Sequence, residues 1–211
     1  MKTLLNNVTT VLFQGDSITD CGRDYQSEDN LGSGYPAKIA GIWENSFPEK
    51  KLRFINRGIS GNRAIDLLRR YETDFKALQP DLVSILIGIN DTWRRYDSGD
   101  PTTAAEFEKN YRTLLENLKR DLPRAAIVIM EPFLLKTDPP KNWREDLDPK
   151  IQAVRSLAKE YADVFIPLDG ILNSYAVDGQ KEASMAADGV HPTPTGHGII
   201  AVQWLKALGI F

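Results

Sequence analysis

Short apolar runs alternate along this chain with segments in which apolar residues recur every three or four positions. The runs are rich in Val, Ile, Leu and Phe, and each is five or six residues long. Strands that alternate with amphipathic helices form βαβ units around a parallel sheet. The pattern predicts strands at 8–13, 52–56, 82–87, 126–130 and 164–168.

The third and fourth runs, 82–87 and 126–130, are apolar at almost every position. Continuous apolar strands are typical of a sheet that helices cover on both faces. These two strands are therefore predicted to be central, in an α/β fold.

Helices are predicted where the apolar residues share one face. Between the third and fourth strands, Phe107, Tyr111 and Leu118 fall on one side, and charged residues fall on the other. In the last helix Thr193 is suited to capping and Pro194 to the first helical position. The predicted helices cover about 64–78, 107–118, 147–161 and 194–208.

Two segments do not follow the periodic pattern. The polar, glycine-containing stretch 21–34 and the stretch 134–143, which contains Pro139-Pro140, are predicted to be loops. Both follow predicted strands, and ligands of open α/β sheets bind beyond the carboxyl ends of the strands. The loops are expected either to form the rim of a site or to serve as connectors or oligomer contacts.

Length and charge limit the classes of partner. At 211 residues and 42% hydrophobic, the chain can form one α/β core, and we predict a single domain over 1–211. The net charge of -3 comes from interspersed acids and bases, which argues against a nucleic-acid partner. No run approaches the roughly 20 apolar residues of a membrane span. The lone Cys21 excludes an intrachain disulfide, and the cytoplasm is the default expectation.

A serine and a histidine carry the candidate chemistry. Ser17 follows the first predicted strand, and a serine hydroxyl needs an adjacent base that a carboxylate orients. Of the two histidines, His191 lies three residues after Asp188 in a turn, whereas His197 has no acid nearby in the sequence. We assign His191 as the base and His197 to packing. An ordinary turn at 188–191 is the alternative.

Four short blocks show a family resemblance. They are Gly-Asp-Ser-Ile-Thr-Asp at 15–20, Asn-Arg-Gly-Ile-Ser-Gly at 56–61, Gly-Ile-Asn-Asp at 88–91 and Asp-Gly-Val-His at 188–191. In this order the chain resembles SGNH hydrolases of the GDSL lipase/esterase superfamily over nearly its whole length. Within that superfamily it is similar to small bacterial acetyl-xylooligosaccharide and acetylxylan esterases.

The resemblance implies a fold and a set of roles. The fold is a three-layer α/β/α flavodoxin-like sandwich with a central, mainly five-stranded parallel sheet. The implied catalytic residues are Ser17, Asp188 and His191. The implied oxyanion hole consists of the N–H groups of Ser17 and Gly61 and the side-chain amide of Asn90. A simple turn glycine and a capping asparagine are the alternative interpretations of the last two.

The expected activity is hydrolysis of acetyl esters on xylo-oligosaccharides or related sugars. Trp93, three residues after Asn90, is a candidate for substrate binding or an interface anchor. Asp16 is a further candidate, although hydrogen bonds that rigidify the loop are the preferred interpretation of Asp16 and Asp20. The sequence contains no cluster with metal-ligand spacing, so neither a metal nor a cofactor is expected.

Two other functions remain alternatives. A lysophospholipase or acyl-thioesterase would use the same residues on a longer acyl chain, and nothing in the sequence indicates a long apolar groove. A sugar-binding protein on the same scaffold would not require the serine, histidine and aspartate together. The aromatic content is compatible with a homo-oligomer as well as with core and pocket.

Overall fold

A five-stranded parallel sheet forms the centre of the computed structural model, which describes residue 5 and residues 8–137 and 141–210. The strands are β1 (Thr10–Gly15), β2 (Arg53–Asn56), β3 (Leu82–Leu86), β4 (Ala126–Met130) and β5 (Val164–Ile166). Their order is β2-β1-β3-β4-β5, which is the order of flavodoxin-like folds. The predicted fold class is confirmed.

Helices connect the strands and cover both faces of the sheet. They are α1 (Ser17–Asp20), α2 (Tyr35–Ser46), α3 (Ala64–Arg69), α4 (Tyr71–Asp74), α5 (Ile89–Asp97), α6 (Ala104–Asp121), α7 (Arg144–Tyr161), α8 (Leu168–Val177), α9 (Glu182–Met185) and α10 (Pro194–Ala207). One core contains side chains of α2, α8 and α10, the other contains those of α3 and α6, and α7 contributes to both. This arrangement makes three layers.

Side chains of the central strands alternate between the two cores. In β1, Val11 and Phe13 join the core under α2 and α10, while Leu12 joins the core under α3 and α6. All three are fully buried. The alternation follows from the two-residue period of a strand, and burial on both faces explains why the central strands are continuously apolar.

The register of the parallel strands brings their carboxyl ends to one edge of the sheet. Gly15, at the end of β1, lies opposite Leu86, at the end of β3, and Phe13 lies opposite Asn56, at the end of β2. The segments that follow these strands therefore meet at the same edge. Three of the four sequence blocks begin there.

The predicted helix at 64–78 is wrong as one continuous element. It consists of α3, α4 and a 3-10 turn at Lys76–Leu78. The backbone of Arg70 leaves helical geometry at φ -100° and ψ 17°, and its guanidinium donates to Asn62 Oδ1 at 2.9 Å and to Gly15 O at 3.4 Å. Amphipathic periodicity does not report this polar contact, so the pattern predicts an unbroken helix.

Other boundaries differ by a few residues, and five of the helices described were not predicted. The first strand is two residues later than expected, and the fifth ends at Ile166 because α8 begins at Leu168. The Thr193 cap of α10 is present, with its hydroxyl accepting from Gly196 N at 3.3 Å. The helices absent from the prediction are α2, α5 and α8 and the single turns α1 and α9.

The two predicted loops have no regular helix or strand where they are described. Residues 21–34 contain only turns and bends, and 134–137 and 141–143 lack regular structure. Pro139-Pro140, together with residue 138, lies outside the described residues. Across the described ranges, no helix is both long enough and apolar enough to cross a membrane.

The close approach at Gly15 predicts a sharp effect of Gly15→Ala. An added Cβ would lie well inside 3.0 Å of both Leu86 O and Thr19 Oγ1, so the substitution should lower the free energy of unfolding by about 1–3 kcal/mol or more. Gly41→Ala is the matched control, because Gly41 is exposed in α2 and has open space around it. That change should be neutral or stabilise by up to about 1 kcal/mol. Urea unfolding of both variants measures the difference, and equal effects would contradict the steric argument.

Candidate active site

Ser17, His191 and Asp188 form one continuous series of hydrogen bonds at the carboxyl edge of the sheet. Ser17 Oγ lies 2.9 Å from His191 Nε2, and His191 Nδ1 lies 2.7 Å from Asp188 Oδ2. Ser17 begins α1 directly after β1, whereas the other two residues lie in the turn before α10. The structure thus brings together a hydroxyl and an imidazole that are 174 residues apart.

The Asp188 carboxylate holds the imidazole in place. Its Oδ1 accepts from the backbone N–H groups of Val190 at 2.9 Å and His191 at 2.7 Å, which leaves Oδ2 to bind the ring. Hydrogen bonds to the imidazole and to these backbone groups outweigh the effect of burial and hold the pKa of Asp188 well below its ordinary value. The hydrogen bond that His191 Nδ1 donates to Asp188 in turn raises the pKa of His191 above its ordinary value of 6.5.

Gly61 lies in the loop that follows β2, and Asn90 lies in the first turn of α5, which follows β3. Gly61 has a φ of +83°, a conformation that favours glycine. Asn90 is only 3% exposed, and its Nδ2 donates to Asn62 O at 3.1 Å. Arg94 donates to Asn90 Oδ1 at 3.3 Å, which orients the amide with its nitrogen toward the 61–62 loop. A side-chain amide carries two N–H groups, so one remains for another acceptor.

Asn56, at the end of β2, connects three backbone segments around the site by hydrogen bonds. No role was assigned to it from the sequence. It is fully buried, and its Nδ2 donates to Thr19 O at 2.7 Å and to Leu31 O at 2.9 Å. Its Oδ1 accepts from Gly58 N at 2.8 Å. One side chain thus joins the helix that carries Ser17, the 21–34 loop and the loop that leads to Gly61.

Asp20 makes a second connection between the same loops. Its Oδ2 accepts from Ser60 N at 3.1 Å, from Ser60 Oγ at 2.6 Å and from Tyr25 OH at 2.5 Å. Arg23 Nε also donates to Gly58 O at 2.7 Å. The hydrogen bond that Ser60 N donates to Asp20 fixes the backbone of the residue before Gly61. Asp20 therefore rigidifies the loop, as the preferred interpretation of the sequence proposed.

Asp16 lies beneath the surface that a substrate would contact. Its side chain is 1% exposed, and Oδ1 accepts from Ile18 N at 3.0 Å as the N-cap of α1. Burial raises its pKa to about 7. The geometry therefore supports the structural role of Asp16, and the hypothesis that it binds substrate has no contact in its favour.

An aromatic cluster flanks the imidazole of His191. The ring of Trp93 is half-buried and lies 5.5 Å from the ring of His191 and 5.0 Å from that of Trp143. Tyr96 also stacks on Trp143, with the ring centres 5.4 Å apart. The Lys141 ammonium lies 4.8 Å from the Trp93 ring centre and 4.5 Å from that of Trp143. Trp93 is thus beside the candidate site, but the contribution of Trp143 and Lys141 was not apparent from the sequence.

The two loops predicted as a rim adjoin the site. The 21–34 loop adjoins it through the contacts of Tyr25 and Leu31 described above. The 134–137 segment lies against the turn that contains Asp188 and His191, where Leu135 N donates to Gly189 O at 2.9 Å. Trp143, at the end of the second loop, contacts Trp93. These contacts favour the rim interpretation of both loops.

His197 is placed away from the Ser17 hydroxyl and inside the protein. Its Nδ1 accepts from Tyr35 N at 3.1 Å, and its Nε2 lies 3.3 Å from Cys21 Sγ. Burial lowers the pKa of His197 to about 4, so the ring is neutral near pH 7. Its contacts are those of a packed histidine. Within the described residues, no group of three or more His, Cys, Asp or Glu side chains could hold a metal ion.

A serine hydroxyl next to an imidazole that a carboxylate orients, with backbone and amide donors nearby, is the arrangement of serine hydrolases. The parallel α/β fold presents it at the edge where such folds bind ligands. A family model described as the GDSL-like Lipase/Acylhydrolase family matches residues 13–199. The chain belongs to this family and is a carboxylic ester hydrolase.

Relatives and solved structures agree with this assignment. The acetylxylan esterase of Geobacillus stearothermophilus is 36% identical over 207 residues, covering 94% of this chain and 93% of that protein. The thioesterase 1/protease 1/lysophospholipase L1 of Escherichia coli is 26% identical over 184 residues, covering 85% of this chain and 80% of that protein.

Two solved structures illustrate the similarity of fold. A protein described as a GDSL-like lipase from Parabacteroides merdae has a TM-score of 0.91 at 36% identity, with 96% of each chain covered. A variant of an acetyl xylan esterase from Geobacillus stearothermophilus has a TM-score of 0.87 at 35% identity, covering 96% of this chain and 95% of that chain.

The raised pKa of His191 predicts the pH dependence of ester hydrolysis. The imidazole must be neutral to accept a proton, so kcat/KM should fall as the pH drops through a pKa above 6.5. Asp188→Asn removes the carboxylate that raises this pKa, so the acidic limb should move to lower pH and the rate should fall. Asp178→Asn, at the exposed end of α8, is the control and should leave the limb in place.

The measurement is kcat/KM for a soluble phenyl ester between pH 5 and 9. An acidic limb that stays at the same pH in Asp188→Asn would contradict the assigned interaction between Asp188 and His191.

Proposed function

We propose that this protein is a serine esterase that removes acetyl groups from carbohydrates, with acetylated xylo-oligosaccharides as the favoured substrate class. The observation that carries the proposal is the series Ser17, His191 and Asp188 beside the ring of Trp93. An indole at this position offers a flat apolar surface on which a sugar ring can pack. The relative at 36% identity, an acetylxylan esterase, supports the same substrate class.

Acylation begins with proton transfer from Ser17 Oγ to His191 Nε2. The oxygen attacks the acetyl carbonyl carbon, forming a C–O bond, and the carbonyl electron pair moves to its oxygen. When the carbonyl re-forms, the bond to the sugar oxygen breaks, and His191 returns the proton to that oxygen. The products are a free sugar hydroxyl and acetyl-Ser17. Asp188 stabilises the imidazolium that forms between these steps.

Deacylation repeats the sequence with water as the nucleophile. His191 accepts a proton from water as the water oxygen attacks the acetyl carbonyl, and it then returns a proton to Ser17 Oγ as acetate leaves. No cofactor enters this scheme. In both steps negative charge develops on the carbonyl oxygen of the acetyl group.

We assign the stabilisation of that charge to Ser17 N, Gly61 N and Asn90 Nδ2. Ser17 N belongs to the first turn of α1, whose N–H groups have no partner within the helix. Gly61 has no Cβ to obstruct the approach of a carbonyl. The contact of Asn90 with Asn62 O holds its amide beside the Gly61 loop. The hydrogen bonds of Asn56 and Asp20 fix these donors in advance of the reaction.

The proposal is tested by initial rates on acetyl, butyryl, octanoyl and decanoyl nitrophenyl esters and on acetylated xylobiose. We expect the highest kcat/KM for the acetyl ester, release of acetate from the sugar, and loss of both activities in Ser17→Ala. An optimum at octanoyl or decanoyl would instead assign the protein to the longer-chain activity that the name of the Escherichia coli relative describes. Activity that survives in Ser17→Ala would refute the assigned nucleophile.

Asn90→Ala should lower kcat by about 10²–10³-fold, the usual effect of removing one oxyanion donor. KM should change little, because the lost interaction strengthens mainly in the transition state. Arg94→Ala is the control: it removes the partner of Asn90 Oδ1 but keeps the donor, so its effect should be smaller. Steady-state kinetics on the acetyl ester, with urea unfolding to verify the fold, measure both. Wild-type turnover in Asn90→Ala would contradict its role.

A further inference from the structure

A basic groove lies against the catalytic turn. It encloses about 160 Å³, and its lining includes Lys136, Lys141 and Arg144. None of the described residues that line it is acidic, although the whole chain has a net charge of -3. The groove is held next to the active site because Leu135, which also lines it, donates its N–H to Gly189 O at 2.9 Å.

The three cations of the groove are not equivalent. Arg144 is neutralised by Asp169, with N···O distances of 2.9 and 3.0 Å. Lys141 instead lies over the rings of Trp93 and Trp143. Among the ion pairs of residues 5, 8–137 and 141–210, none includes Lys136 or Lys141. Contact with ring faces leaves the ammonium N–H groups of Lys141 available to an acceptor.

Trp93 links this ammonium to the reacting atoms. Its ring lies 5.5 Å from that of His191 and 4.8 Å from Lys141 Nζ. In the proposed mechanism His191 returns a proton to the sugar oxygen, so the sugar must lie beside the imidazole. A sugar in that position that extends along Trp93 reaches the Lys141 ammonium. A negative group on the sugar would meet there a positive charge that forms no ion pair with any of the described residues.

We propose that Lys141, assisted by Lys136, forms a cationic subsite that favours acetylated sugars bearing a carboxylate, the class of uronic-acid-containing oligosaccharides. This inference rests on the acetyl esterase function proposed above and names a narrower substrate class for the same site. Attraction between partly exposed charges should favour the anionic substrate by up to about fivefold in kcat/KM. The preference should weaken as salt shortens the Debye length from about 30 Å at 0.01 M to about 3 Å at 1 M.

The experiment compares 4-acetoxybenzoate with its neutral methyl ester, because both carry the same acetyl group and differ in the charge of the leaving group. The readout is the ratio of their kcat/KM values, so a general effect of a substitution on activity cancels. Lys141→Arg should keep the wild-type ratio, Lys141→Gln should lower it about three- to fivefold, and Lys141→Glu should lower it further. Lys159→Gln, on the exposed side of α7, makes the same change in net charge away from the site and should leave the ratio unchanged.

A ratio that is the same in wild type, Lys141→Gln and Lys141→Glu would overturn the subsite while leaving the acetyl esterase function intact. Failure of the wild-type protein to hydrolyse the neutral acetyl ester would overturn the proposed function itself, and the subsite with it. A preference for acetylated xylobiose bearing a glucuronic acid over plain acetylated xylobiose, lost in Lys141→Gln, would extend the result from the model esters to sugars.

Discussion

The hydrogen bonds of Asn56 hold the active site together. Its amide nitrogen donates to Thr19 O and Leu31 O, and its oxygen accepts from Gly58 N. Three backbone segments thus converge on one buried side chain at the end of an edge strand. A buried carbonyl that loses its donor costs about 1–3 kcal/mol, so the three segments keep one relative arrangement. The distances between the nucleophile and the Gly61 loop depend on that arrangement.

The positions of the reacting groups were largely predictable from the sequence. Parallel strands place their carboxyl ends at one edge, so a block that follows a strand must lie near the other blocks of the same kind. This reasoning predicts that Ser17, Gly61 and Asn90 lie at the same edge. The contact between Asp188 and His191 was predictable from their short spacing alone, because a carboxylate three residues before a histidine can reach its ring.

The supporting contacts were not predictable, because they join side chains far apart in the chain and follow no period. Trp93 meets Trp143 because α5 packs on α7, where the fully buried Lys150 donates to Thr92 Oγ1 at 3.3 Å and pairs with Asp146. A lysine in an amphipathic helical segment is expected to be exposed to solvent, so the sequence does not predict that Lys150 is buried between two helices. The break in the helix at Arg70 has a similar origin, since it depends on polar partners in Asn62 and Gly15.

Rising pH affects stability and activity in opposite directions. It weakens the contribution of the buried carboxyl groups to the free energy of unfolding, and it removes the proton from the proposed catalytic base. Burial raises the pKa values of Asp16 and Asp91 from 3.8 to about 7. Between these values the native state holds protons that the unfolded chain has released, so the contribution of both groups to the free energy of unfolding falls as the pH rises. Asp188, with a lowered pKa, contributes stability that is present above 3.8 and partly offsets this loss. His191, whose pKa is raised above 6.5 by the hydrogen bond to Asp188, also loses its proton as the pH rises and then becomes able to act as a base. The two buried carboxyl groups and the His191 imidazole therefore all lose protons as the pH rises. Hydrogen bonds from Ile18 N to Asp16 and from Ala64 N to Asp91 hold the two carboxyl groups in place.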